Sequence, residues 1–255
     1  RRSSDLFILL GCDIMIQIKD IIFKYKDAEV LKNINVDIKE GEAIALIGPN
    51  GSGKSTFLKL LNGIIFATKG KYYFNSEEVD KKKMENSNFS KLFHKKVGFV
   101  FQNSDAQLFC SNVYDEIAFG PRQMGMDDKE VDRRVCDCLR LLDIEDLKDR
   151  EPYNLSGGEK KRVAIAAVLA LNPEVLILDE PMNAIDPKGK KFLRELMIKL
   201  NSSGKTIICS THDFEYVQGI FKRVLVFAED HSIIRDDDYD IVINDNSFLI
   251  ENNIK

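Results

Sequence analysis

The sequence predicts an α/β fold in which a core of mainly parallel sheet carries an antiparallel β subdomain and an inserted helical subdomain. Four short apolar runs, 43–47, 175–178, 207–209 and 224–227, have the unbroken hydrophobicity of strands covered on both faces. Stretches of helical period separate them: Asp128 to Leu142 sets Val131, Val135, Leu139 and Leu142 on one face, and Pro187 to Leu200 does the same with Leu193, Leu196, Met197 and Leu200. Ahead of these, Ile16, Ile18, Ile21 and Phe23, then Ile34, Val36 and Ile38, alternate with polar residues, as in an antiparallel sheet with one wet face.

In chain order, the apolar segment Leu6 to Cys12 is far shorter than the about 20 residues that span a bilayer. Residues 1–14 are read as a leader, with Met15 the natural start of the first strand. One domain is expected over 15–228. Within it the polar run Glu77 to Asn88 precedes a strand at Val97 to Phe101. A mainly helical segment, Val113 to Leu147, follows, with Gly120-Pro121 as an internal break, and the inserted subdomain is placed at about 103–153. Residues 229–255 form an acidic C-terminal extension with eight acids and two bases, which leaves a near-neutral body of +2. Without a basic stripe, nucleic acid is not an expected partner. The 44% hydrophobic and 31% charged composition excludes disordered, collagen-like and membrane-embedded classes. Five scattered cysteines fit a reducing compartment, and Cys136 and Cys138 read as packed thiols because no further Cys or His cluster completes a metal site.

The chemistry concentrates in three places. Gly48-Pro49-Asn50-Gly51-Ser52-Gly53-Lys54-Ser55 fits the phosphate-loop pattern and stands between an apolar strand and the helical run Thr56 to Leu61. Its glycines let backbone N–H groups turn toward phosphate oxygens, Lys54 reaches the terminal phosphates and Ser55 ligates Mg²⁺. Asp179 and Glu180 close the apolar strand at 175–178: Asp179 suits the metal, and Glu180 suits a water in line with the γ-phosphate. For this the strand must lie beside the phosphate loop. Lastly, Leu155-Ser156-Gly157-Gly158-Glu159 opens the helix Lys160 to Leu171 with Ser156 and Glu159 at capping-box spacing. Its bare glycine backbone is a second anion site, which suggests two surfaces closing on one nucleotide.

With these motifs in order, the sequence resembles the ATP-binding cassette (ABC) family of transporter ATPases from about Met15 to Phe227, a P-loop NTPase fold. The resemblance rests on Gly48 to Thr56 (Walker A), Gln102 (Q-loop), Leu155 to Glu159 (signature), Asp179-Glu180 (Walker B), Asp186 (D-loop) and His212 in Ser210-Thr211-His212-Asp213 (switch). It implies ATP and Mg²⁺ as ligands, with Thr56 and Asp186 in the nucleotide site. It also implies a head-to-tail pair of ATPase subunits, identical or paralogous, in which Ser156, Gly157 and Gly158 of one cover the γ-phosphate held by Lys54 of the other. Gln102 would touch both Mg²⁺ and a transmembrane partner, His212 would sense the γ-phosphate, and Tyr25 would stack on adenine.

Phe101 to Phe109, continuing to Val113-Tyr-Asp-Glu-Ile-Ala-Phe-Gly-Pro121, is similar to the energy-coupling-factor and cobalt/nickel importer branch. That branch implies vitamin or transition-metal uptake, attachment at the cytoplasmic face of the membrane, and docking of a transmembrane subunit near Gln102 to Phe119. Leu108, Phe109, Val113, Tyr114, Ile117 and Phe119 supply the apolar groups for such a groove. Ser104 stands where the branch favours proline, and Met182-Asn-Ala-Ile185 departs from its usual D-loop. The competing readings are a soluble assembly ATPase of the iron–sulfur scaffold class and a nucleotide-binding module that no longer hydrolyses. Chromosome-maintenance relatives would need long coiled coils between the phosphate loop and Leu155, and no sustained heptads occur there.

Overall fold

The structure, a computed structural model, describes residues 14–214 and 216–255, so the expected leader lies outside the described residues apart from Ile14. Strand β1 (Ile14–Tyr25) pairs antiparallel with β2 (Ala28–Lys39), and β3 (Ala43–Ile47) runs into helix α1 (Lys54–Leu61). The chain returns to the first sheet as β4 (Lys69–Phe74) and β5 (Glu77–Glu78), giving the order β2-β1-β4-β5. Helices α2 (Lys81–Met84) and α3 (Ser87–Lys96) then lead to β6 (Val97–Val100). The helical layer comprises α4 (Val113–Gln123), α5 (Asp128–Leu142) and α6 (Gly157–Leu169). Strand β7 (Val175–Asp179), helix α7 (Pro187–Ser202), and strands β8 (Thr206–Ser210) and β9 (Arg223–Phe227) complete the alternating core. Finally β10 (Ile233–Asp238), α8 (Tyr239–Asn244) and α9 (Asn246–Glu251) close the chain.

The second sheet has the order β10-β9-β3-β8-β7-β6, parallel from β9 to β6, with β10 antiparallel at one edge. Its apolar runs are continuous because alternate residues enter two different cores. Ile44, Leu46, Val175, Ile177, Ile208, Leu225 and Phe227 pack toward the antiparallel sheet and α1. Ala45, Ile47, Leu176, Leu178, Cys209, Val224 and Val226 pack toward the helical layer.

Strand β8 lies between β3 and β7, yet α1, which continues the phosphate loop, packs on β7, so the Asp179 strand ends beside that loop as the sequence reading requires. Two expectations change on contact with the structure. Helix α4 runs through Gly120 and Pro121 instead of breaking there. Proline at 121 removes only the bond to the carbonyl four residues back, near a helix end that is reached within three residues. Gly120 serves packing, since a Cβ there would lie 3.3 Å from Leu171. The acidic segment 229–255 is no mere appendage: besides the edge strand, it sends Tyr239, Val242, Leu249 and Ile254 into the helical-side core. Cys138 is buried, and burial pushes its thiol up to about 12, as suits an inert packed thiol.

Candidate active site

Beyond Ile47 the chain leaves β3 at the C-terminal edge of the parallel strands and arches into α1. At Gly48 φ is +142°, and a Cβ would lie 2.2 Å from the carbonyl oxygen of Phe227; at Gly53 φ is +106°, and a Cβ would lie 2.5 Å from that of Val30. Only glycine fits either place. Helix α1 opens on Gly53 with no side-chain cap, so its first-turn N–H groups are left to an anion. Ser52 Oγ is buried without a protein partner, and Lys54 Nζ donates to the carbonyls of Gly48 (2.7 Å) and Pro49 (2.9 Å). Burial lowers the Lys54 pKa, while the charges of Glu180 and Asp179 pull it back up.

Asp179 ends β7, and its Oδ1 accepts from Ser55 Oγ (3.0 Å) and Ser210 Oγ (2.7 Å). Ser210 ends the intervening strand β8 and spans the extra sheet position. The same hydroxyl accepts from the Glu180 N–H at 2.9 Å. With φ at +46°, Glu180 bends out of the strand. Its carboxylate accepts from Asn183 Nδ2 (2.8 Å) and lies 3.1 Å from His212 Nε2. The hydrogen bond from His212 holds the Glu180 carboxyl below its ordinary 4.5; burial opposes this, and the electrostatic pull of His212 and Lys54 adds to it. Lys54, Ser55, Asp179, Glu180 and His212 therefore form one connected cluster. Sequence reasoning assigned no role to Ser210 or Asn183, although a polar residue closing an apolar strand was a legible signal for the former.

The other expected residues stand apart from this cluster. Tyr25 is 46% exposed, its ring at right angles to that of Phe23 with centroids 4.7 Å apart. Ser156 and Gly158 line a different cavity, with Asp186, among whose lining residues no phosphate-loop residue occurs. The capping box forms: Ser156 N and Oγ both donate to Glu159, at 2.7 and 2.6 Å. Asp186 caps α7 through Gly189 N (3.0 Å). Gln102 is exposed beyond β6, and its carbonyl accepts from Lys161, a buried residue that sequence reasoning passed over. Burial pulls the Lys161 ammonium down to about 8, with Asp179 acting the other way. Asn103 caps a short 3₁₀ turn (Ser104–Ala106) in which Ser104 takes the first position, a place proline also suits, so the departure there leaves the loop geometry available.

The apolar group after Gln102 divides. Val113 and Ile117 are fully buried in the helical-side core, and Leu108 and Tyr114 pack partly against it. Phe109 and Phe119, 68% and 42% exposed, meet edge-to-face with centroids 4.9 Å apart. Buried Glu116 fixes this loop by accepting from the N–H groups of Phe109 (2.8 Å) and Cys110 (2.7 Å).

A glycine loop opening a helix, with a lysine, a hydroxyl and two carboxylates converging at the edge of a parallel sheet, defines a nucleoside-triphosphate-binding domain. The ABC transporter family profile matches residues 31–183. Over 240 residues the chain is 65% identical to a putative ABC transporter ATP-binding protein of Clostridium acetobutylicum, covering 94% of this chain and all of that protein. A nickel import ATP-binding protein, LarO of Lactiplantibacillus plantarum, is 44% identical over 222 residues (87% of this chain, 92% of that one). The energy-coupling factor transporter ATP-binding protein EcfA of Methanocaldococcus jannaschii is 42% identical over 218 residues (84% and 76%). Among solved structures, CbiO1 of Clostridium perfringens, part of the ABC transporter complex CbiONQ, superposes with a TM-score of 0.80 at 34% identity (95% and 96% covered). A dimeric ATP-binding cassette in a post-hydrolysis state, bound to ADP and phosphate, also gives 0.80, at 29% identity (88% and 99%). The chain belongs to the ABC transporter family of ATP-binding proteins, and its relatives include ATP-binding proteins named for an energy-coupling factor transporter and for nickel import.

Proposed function

We propose that this chain is the ATP-hydrolysing subunit of an energy-coupling-factor type importer for a vitamin or a transition-metal ion such as cobalt or nickel. It acts as a pair of ATPase subunits at the cytoplasmic face of the membrane. The observation that carries this reading is the connected cluster Lys54, Ser55, Asp179, Glu180 and His212. No helix among the described residues is long and apolar enough to cross a membrane. The names of the LarO, EcfA and CbiO1 relatives support the importer class, and none supports an iron–sulfur assembly factor.

Lys54 would exchange the Gly48 and Pro49 carbonyls for β- and γ-phosphate oxygens, with the α1 amides and Ser52 completing the cradle. Tyr25 would stack on adenine. The neighbouring oxygens of Ser55 and Asp179 suit a hard divalent cation held by few protein ligands, and Gln102 would add a third. Bound Mg²⁺ supplies neutralisation of charge on the phosphates. Glu180, ionised at neutral pH, orients and deprotonates the attacking water, while His212 fixes the carboxylate and reports the γ-phosphate. Ser156, Gly157, Gly158 and Asp186 of the second subunit close the site.

The test is ATPase assay of the purified chain, followed by co-purification with its membrane partner and uptake of radiolabelled nickel, cobalt or vitamin. The acid limb of kcat/KM owed to Glu180 should lie below pH 4.5, because activity is lost only as pH falls through the lowered pKa. In His212→Ala the largest lowering contribution is gone and burial remains, so the limb should move to higher pH; an unmoved limb would remove His212 from this role. At the docking surface, Phe109→Asp should abolish partner co-purification while leaving ATP binding and thermal stability unchanged. Val113→Asp, a charge in the core, should instead unfold the helical layer. Full partner binding by a stable Phe109→Asp protein rejects the docking site.

A further inference from the structure

We propose that Lys161 is a positioning residue that joins helix α6 to the Gln102 segment, so that Gln102 and the Ser156–Gly158 end of the helix move as one body. This inference rests on the functional reading above.

Strand β6, buried throughout, ends at Val100, and the backbone leaves the sheet through half-buried Phe101 and then exposed Gln102. Lys161, one turn into α6 and only 3% exposed, donates from Nζ to the carbonyls of Phe101 (3.1 Å) and Gln102 (2.7 Å). A buried ammonium is tolerated only where its protons are taken up, so this contact is an anchor and not a passing surface bond. Gln107 works from the other side. Its Oε1 accepts from the Phe101 N–H (3.1 Å), and its Nε2 donates to the Ala164 carbonyl on the next turn of α6 (3.2 Å). Phe101 is therefore held to α6 at both its N–H and its C=O. The exposed Lys160–Asp105 pair at 2.7 Å lies over the same junction and adds little, as surface pairs do.

The distance over which the joint acts is short. Four residues of helix separate Gly157 from Lys161, about 6 Å at 1.5 Å per residue. Movement of Gln102 toward the metal and nucleotide of its own subunit is thereby passed to the glycine backbone that covers the nucleotide of the other subunit. The Lys161 ammonium donates to the Phe101 and Gln102 carbonyls and to no phosphate-loop group, so its loss should spare ground-state ATP binding and affect only the step that needs both surfaces.

The experiment uses the full chain. Lys161→Met keeps the apolar stem and removes the donors; Lys161→Gln, one bond shorter, restores an amide that can reach the carbonyls. Expected for Lys161→Met is ATP affinity within about twofold of the parent, kcat lowered at least about tenfold, as loss of one strong buried hydrogen bond would do, and a weakened ATP-driven dimer when combined with Glu180→Gln. Lys161→Gln should recover most of kcat. A folded Lys161→Met protein with parental kcat and dimerisation overturns the joint, and so does a parallel fall of affinity, kcat and melting temperature that Lys161→Gln leaves uncorrected. Should Lys161→Met fail to fold, Gln107→Leu, which cuts the same joint from the loop side, must show the same split for the proposal to stand. A parent chain that neither hydrolyses ATP nor dimerises with it rejects the functional reading and the joint together, whereas an active parent with an unaffected Lys161→Met rejects the joint alone.

Discussion

Replacement of Glu180 by Gln should lower steady-state ATP turnover about 10²- to 10⁴-fold, or about 3–5 kcal/mol of barrier, the contribution typical of a positioned general base. The substitution preserves size, but its single amide oxygen can accept from only one of Asn183 and His212, which bond different carboxylate oxygens at 2.8 and 3.1 Å. Lost charge and one lost acceptor, not lost packing, are thus what the assay reads. In the proposed pair hydrolysis is the step that releases the closed state, so the variant should accumulate with Mg-ATP as a species of doubled mass in size exclusion. Near-normal turnover would sink the assignment, and so would a monomer that binds ATP tightly and never pairs.

Lys54→Ala should act earlier. A charge-assisted phosphate contact is worth about 1.5–3 kcal/mol and is present in the ground state as well as the transition state, so ATP affinity and turnover should fall together, each by at least about tenfold. There is a second consequence peculiar to this loop. Lys54 ties the Gly48 and Pro49 carbonyls together, so the alanine variant also frees the backbone that must hold the phosphates. Calorimetric titration with Mg-ATP measures the first effect, and proteolytic nicking of the nucleotide-free loop measures the second. Equal affinity for variant and parent contradicts the phosphate-loop assignment.

Local chemistry explains which parts of the molecule were legible in advance. Gly48 to Ser55 announces itself because its spacing is a property of consecutive residues, and the parallel strands do so because burial on both faces demands unbroken hydrophobicity. Strand order is a different matter. Nothing in Val175 to Asp179 tells that Thr206 to Ser210 lies between it and β3, and the role of Ser210 exists only because of that order. Lys161 was equally hidden, since it bonds a loop far from it in sequence, whereas Asn183 bonds Glu180 within one turn and offered only a generic polar signal. Gly120-Pro121 misled for the opposite reason: a strong local breaker signal lost to tertiary packing against Leu171. The apolar residues after Gln102 fell between the extremes, since six apolar side chains in sequence could not reveal that Val113 and Ile117 face inward while Phe109 and Phe119 face out.

The division of each parallel strand between two cores has a bearing on how such a chain can drift over evolutionary time. In a sheet with one wet face every second residue is free to vary. Along β3, β7 and β8 no position has that freedom, because Ile44 and Ala45, or Leu176 and Ile177, are each fully enclosed on opposite sides. A change of volume at any of them must be matched by a neighbour in the same layer, at a cost of about 1 kcal/mol or more until it is. Variation is therefore channelled to the periphery, to the Phe109 loop, the exposed faces of α5 and the antiparallel edge at β10, while the sheet that carries the candidate reacting groups is left little room to change.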